Sequence, residues 1–164
     1  MSILGIDPGL ATVGWGVIDV INGKPKAVAC GVISTPKEDK LPKRLLTIEN
    51  DLKSLIEKFK PDEIALEELF FNSNVTTAIN VSQARGVILL TCIKQVGKLY
   101  EYTPLQIKQA LTGYGRAEKK QIQEMTKTFL NLAKIPKPDD AADALAVALT
   151  HSQTNRLSQS FAIK

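Results

Sequence analysis

Two apolar runs rich in β-branched residues, Trp15–Ile21 and Ala27–Ile33, are separated by Asn22-Gly23 and a few polar residues. Asn-Gly readily takes the two positive-φ positions of a tight turn, so this stretch is predicted to fold back as an antiparallel hairpin. Ahead of it, Ile3-Leu4-Gly5-Ile6 reads as a buried strand stopped by the turn sequence Asp7-Pro8-Gly9. Beyond residue 40 the period changes. Leu41, Leu45, Ile48, Leu52, Leu55, Ile56 and Phe59 recur at spacings of three and four, one apolar face of a helix that Pro61 closes. A strand over Glu63–Leu69, a long helix over Thr76–Val96 ended by Gly97, and a strand over Leu99–Tyr102 follow. Strands joined through helices are crossovers, which favour parallel pairing and a right-handed connection. Three further helices complete the reading: one opened by Pro104 and stopped at Gly113-Tyr114-Gly115, one over Lys119–Leu132, and one over Asp139–His151. The expected fold is α/β, a mixed five-stranded sheet with helices on both faces.

A chain of 164 residues fits one domain, read as residues 1–155, with a short flexible tail at 156–164. Hydrophobic residues at 44% and charged residues at 23% exclude a disordered tail, a collagen-like fibre and a coiled coil. Met1-Ser2-Ile3-Leu4-Gly5-Ile6 has no basic stretch, and Asp7 leaves no room for an apolar one, so no signal peptide is read there. No apolar stretch approaches the roughly 18 residues of a membrane span, and the expectation is a cytoplasmic protein. Cys30, Cys92 and the single histidine, His151, are too few for a Cys/His zinc site. A Ser-His-Asp triad would rest on His151 alone, which reads more simply as an exposed residue near the chain end. Acid–base or metal chemistry is left mainly to Asp and Glu.

The net charge of +4 is unevenly placed. Residues 1–93 carry a net −1, residues 94–138 a net +6 and residues 139–164 a net −1. A basic segment of this kind suits a polyanion, most often nucleic acid; a pair of lysine-rich, solvated helices explains it equally well.

Functional crevices of open α/β sheets lie at the carboxyl ends of parallel strands. Asp7 ends the first strand and Glu67 lies near the end of the fourth, so their side chains converge if the strands are neighbours. Asp7 could instead only start its turn, and Glu68 competes with Glu67. Asp140 and Asp143 share one helix face by their i, i+3 spacing, with Asp139 suited to the helix N-cap. Asp143, past the cap and among alanines, faces either water or other acids around a cation. Oxygen donors without His or Cys suit Mg²⁺ or Mn²⁺, and two such ions about 3.5–4 Å apart suit phosphodiester hydrolysis.

Five segments in order, Leu4-Gly5-Ile6-Asp7-Pro8-Gly9, Ala65-Leu66-Glu67, Gln83-Ala84-Arg85-Gly86, Gly113-Tyr114-Gly115-Arg116-Ala117-Glu118-Lys119 and Asp140-Ala141-Ala142-Asp143-Ala144-Leu145-Ala146, resemble the RuvC family of bacterial Holliday junction resolvases. The resemblance runs to about His151. It implies an RNase H-like fold, a homodimer, and Mg²⁺-dependent paired nicking of four-way junction DNA in recombination and repair, with RuvA and RuvB as partners. It implies two ions per site, with Mn²⁺ as a substitute, and assigns the catalytic metal ligands to Asp7, Glu67, Asp140 and Asp143. Phe70 matches the family's aromatic near the scissile strand, able to stack on a base or wedge a step open, with Phe71 as the core alternative. Lys108 and Lys119 match lysines near the active site. Arg116 and Lys120 are further candidates for phosphate contact. The family's dimer contact falls near the Thr76–Val96 helix, whose apolar residues serve a core equally well.

Other readings compete. The opening motif and hairpin also resemble the phosphate loop of sugar kinases and actin-like ATPases, which need a second lobe. A YqgF-type nuclease acting on RNA shares the opening motif. A junction-binding scaffold without catalysis is disfavoured by the presence of all four acids.

Overall fold

In a computed structural model, residues 1–69, 74–154 and 163 are described. The hairpin forms, with Asn22 at φ 52° and Gly23 at φ 76°. It joins β2 (Thr12–Ile21) to β3 (Lys24–Ser34), each longer than its apolar run. β2 also pairs antiparallel with β1 (Ser2–Asp7), and β4 (Glu63–Glu67) lies parallel on the other side of β1. β5 (Leu99–Tyr102) pairs parallel with β4, giving the order β3-β2-β1-β4-β5. This is the expected mixed five-stranded sheet. β4 stops two residues before Leu69, because its partner β5 ends at Tyr102 and the chain turns directly into the next helix. The Glu68 N–H makes the last link, to the Tyr102 carbonyl at 2.8 Å.

Helices cover both faces. On one side lie α1 (Leu41–Phe59) and α2 (Val75–Gln95), packed over Leu4, Ile6, Val17, Ile64 and Leu66. On the other lie α3 (Pro104–Thr112), α4 (Lys119–Phe129) and α5 (Asp139–Thr154), over Ile3, Ile18 and Ala65. The period-two alternation of the strands divides the two cores. Pro104 opens α3 behind a capping box in which Thr103 and Gln106 bond each other's backbone N–H at 3.1 and 2.8 Å. α4 ends three residues before the expected Leu132, because Asn131 turns left-handed at φ 51° and the Leu132 N–H folds back to the Lys127 carbonyl at 2.9 Å.

α5 sits very close to the sheet. Its alanines Ala141, Ala144 and Ala148 are buried, and the strands answer with glycines. A Cβ added at Gly5 would lie 2.8 Å from the Ala148 nitrogen and closer still to the Ala144 carbonyl oxygen. One added at Gly16 would lie 2.8 Å from the Leu145 side chain.

The far end of α5 corrects the reading of His151 as an exposed residue. The helix continues to Thr154, and His151 is 0% exposed. Its Nε2–H donates to Glu63 Oε2 at 2.7 Å, which leaves Nδ1 to accept from the Tyr102 hydroxyl at 2.6 Å. The Tyr102 oxygen accepts in turn from Thr154 Oγ1 at 3.0 Å. Tyr100 lies against the imidazole, ring centres 4.4 Å apart. Burial holds the His151 pKa below its ordinary value, outweighing the upward pull of Glu63. Near the chain end, Ile163 lies beside β5, its N–H donating to the Leu99 carbonyl at 3.1 Å.

Candidate active site

The parallel register pairs Ile6 with Leu66, so the next residues, Asp7 and Glu67, stand side by side at the carboxyl ends of the two central strands. The alternation that sends Ile6 and Leu66 to the α1/α2 core sends Asp7 and Glu67 to the α5 side. There the first turns of α5 arrive with Asp140 and Asp143. One carboxylate oxygen each from Asp7, Asp140 and Asp143 lies within 4.8 Å of the others. Glu67 stands beside Asp7, whose carboxyl donates a hydrogen bond to it when protonated.

Such a cluster is strained as long as only acids face one another. Burial, followed by repulsion from Glu67, Asp143 and Asp140, pushes the Asp7 pKa up to about 9. Burial and Asp143 also raise Glu67, opposed by its bond to Asp7 and by Lys119 and Lys108. Asp143 is raised chiefly by burial, with Lys119 pulling the other way. A cation among these oxygens removes the repulsion. A donor set of oxygen alone, with no His or Cys, fits a hard divalent ion.

Glu67, Asp143, Lys108 and Lys119 line a cleft of about 280 Å³, with Pro104, Ile107 and Ile122 as its apolar part. A smaller hollow of about 210 Å³ is bordered by Asp7, Pro8, Glu67 and Glu68. Lys119 Nζ lies 3.3 Å from Asp143 and 3.6 Å from Asp139. Thus the fold brings Lys108 and Lys119 to the acids. Arg116 and Lys120 are exposed and stand outside the lining of both hollows among the described residues. Phe70 and Phe71 fall outside the described residues.

Two choices left open by spacing have geometric answers. Glu67, and not Glu68, bonds Asp7 and feels Asp143, Lys119 and Lys108. Asp140, and not Asp139, joins the close oxygen cluster. The expected N-cap role of Asp139 does not hold. Asp139 is the first residue of α5 and its carboxylate pairs with Lys137 at 3.2 Å as well as with Lys119. Gly14, which no motif of the sequence singles out, stands opposite Asp7 in the β1–β2 ladder. The sequence carries a signal for it: Gly14 and Gly16 alternate with Val13, Trp15 and Val17, leaving β2 without side chains at two successive positions of one face.

A mixed sheet ordered 3-2-1-4-5, with acids gathered at the carboxyl ends of its central parallel strands, defines an α/β protein of the RNase H-like fold. The family model described as crossover junction endodeoxyribonuclease RuvC matches residues 3–151, and the chain belongs to that family. A relative of that description from Finegoldia magna is 58% identical over 151 residues, covering 92% of both chains. Another, from Alkaliphilus oremlandii, is 52% identical over the whole of both. Among solved structures, Thermus thermophilus RuvC in complex with Holliday junction substrate superposes with a TM-score of 0.93 at 33% identity, covering 99% of each chain.

Proposed function

We propose that this protein resolves four-way DNA junctions by hydrolytic nicks in two strands of like polarity, using Mg²⁺ held by Asp7, Glu67, Asp140 and Asp143. The observation that carries the reading is the half-buried oxygen cluster of Asp7, Asp140 and Asp143 beside Glu67. It accompanies membership of a family whose Thermus thermophilus member is solved with a Holliday junction. Bound there, Mg²⁺ supplies positive charge to the attacking water and the departing oxygen of a phosphodiester. The four acids fix its position, and Lys108 and Lys119 hold the phosphate on the cleft side and offset developing negative charge. Arg116 and Lys120 grip backbone phosphates further out. Phe70 serves as the aromatic that holds an unstacked step open.

Paired nicks call for two copies, and α2 offers a surface for the second. Ile88 is buried in the core, but Ile79, Leu90 and Ile93 are exposed along the helix. The proposal includes RuvA and RuvB as partners and a cytoplasmic location. Among the described residues no helix is long and apolar enough to cross a membrane.

The test is a nicking assay on a mobile four-way junction, with and without Mg²⁺, beside salt-dependent binding to the junction, a linear duplex and structured RNA. Symmetric Mg²⁺-dependent cuts confined to the junction support the reading. Metal-independent binding without cuts would leave a scaffold, and preferential cutting of RNA would favour the other nuclease class.

A further inference from the structure

Gly14 holds no ligand atom, yet it stands where the acid cluster is assembled. It pairs with Asp7 across the β1–β2 ladder. The direction its side chain would take is the face on which Asp7 meets α5. A Cβ built there would lie 2.6 Å from the Asp140 carbonyl carbon, closer still to the Asp140 oxygen, and 3.1 Å from the Asp140 Cβ. No rotamer relieves this, because the obstructing atoms are the backbone of the ligand residue itself. Gly16, two residues along the same face, differs. A Cβ there would meet Leu145, 2.8 Å from its side-chain carbons and 3.0 Å from its backbone nitrogen, so the crowding falls on a core residue beyond the acids and not on residue 140.

We infer that Gly14 is a positioning residue of the metal site, its missing side chain setting how near the Asp140 carboxylate comes to Asp7. The inference rests on the reading of the acid cluster as a cation site. Gly14 does two things at once. It lets the first turn of α5 land directly on β2, and it keeps the space beside Asp7 free for a ligand from the helix. Any side chain at 14 would lift residue 140 while leaving Asp7 and Glu67 on their strands. Asp143, one turn further along the helix, would be displaced less.

Calorimetric titration of metal-free, full-length protein with Mn²⁺ tests this without reference to cleavage. Gly14→Ala should bind Mn²⁺ at least about tenfold more weakly than wild type, in the range typical for residues that orient ligands. Its metal-free affinity for junction DNA should stay within about twofold, because the basic segment is untouched. Gly16→Ala should melt lower than wild type yet keep wild-type Mn²⁺ affinity. Asp140→Glu keeps Gly14 and carries the test even if Gly14→Ala folds poorly. With the backbone of residue 140 held against β2, the longer acid overshoots, and Mn²⁺ affinity should fall about tenfold. In the double variant Gly14→Ala/Asp140→Glu the extra methylene should recover part of the affinity lost by Gly14→Ala. Wild-type Mn²⁺ affinity in Gly14→Ala, or in Asp140→Glu, would overturn the inference. A wild-type protein that takes up no Mn²⁺ would instead overturn the reading of the site.

Discussion

The two ends of α5 each hold a polar cluster, half-buried at one end and buried at the other, and they are built on opposite principles. At the N-terminal end, Asp140 and Asp143 meet Asp7 and Glu67, and the like charges push the Asp7 pKa up to about 9. At the C-terminal end, His151 is bonded through both ring nitrogens, to Glu63 and Tyr102. One cluster sets like charges against one another. The other is complete within the chain. Buried polar groups that satisfy one another hold a fold together, whereas a group left unsatisfied is a place where something binds.

Substitutions should separate the two ends sharply. The largest effect belongs to the acids. Asp7→Asn, Glu67→Gln, Asp140→Asn and Asp143→Asn should each lower junction cleavage in Mg²⁺ by more than about a thousandfold with binding retained. A variant that cuts at near wild-type rate would remove its residue from the site. His151→Ala should do the reverse. Truncation leaves Glu63 and Tyr102 without their buried partner, and the expected loss is about 2–4 kcal/mol of stability, read from denaturant unfolding. Its cleavage should track the folded fraction. A specific loss of activity in well-folded His151→Ala would break the division between the ends.

Acid and alkali should also act on different ends. His151 has a lowered pKa in the fold, so its contribution is intact above the ordinary histidine value near 6.5 and is lost as pH falls below it. Asp7 has a raised pKa, so metal-free protein is most favoured below the ordinary 3.8 and loses that contribution as pH rises towards about 9. In EDTA, Asp7→Asn should flatten the alkaline side of the melting-temperature profile, and His151→Ala the acid side. Saturating Mg²⁺ should flatten the alkaline side of the wild-type profile as well. An alkaline limb in EDTA that is the same in Asp7→Asn and wild type would show that Asp7 does not carry it.

The smallest effects concern the basic segment. Lys108→Ala and Lys119→Ala should lower cleavage more than affinity, since both line the cleft with Glu67 and Asp143. Arg116→Ala and Lys120→Ala should weaken binding and reduce the salt slope by roughly one unit each. Identical slopes in wild type and all four variants would make the segment a solvated face.

The active end of α5 was more legible in the sequence than the structural end. Asp7 and Glu67 were readable as strand-end residues, since turn chemistry and crossovers already place strand termini together. The choice of Glu67 over Glu68 comes from the family resemblance, since local spacing does not say which face of β4 meets α5. Asp139 carried a strong capping signal, but Lys119 and Lys137 lie close enough to take its carboxylate instead. His151 reads as exposed because it lies near the chain end. The better guide was the run Ala144–Leu149 just before it, apolar on all sides, which belongs to a buried helix and carries the next turn inside with it. The positive charge of residues 94–138 is plain in the sequence, and the family resemblance already separates Lys108 and Lys119 from Arg116 and Lys120; the packing of α3 and α4 beside α5 places the first pair in the cleft lining.

Among the described residues β3 and β5 are the margins of the sheet, the place where a sheet can recruit a strand from another molecule. Each is guarded differently. β3 begins Lys24-Pro25-Lys26, two charges around a residue that has no N–H to offer. β5 is only four residues long, and the Ile163 N–H already occupies its Leu99 carbonyl. Strand-to-strand aggregation is thereby discouraged at both margins, so a second molecule that meets this one has side chains to pack against and little free backbone to extend.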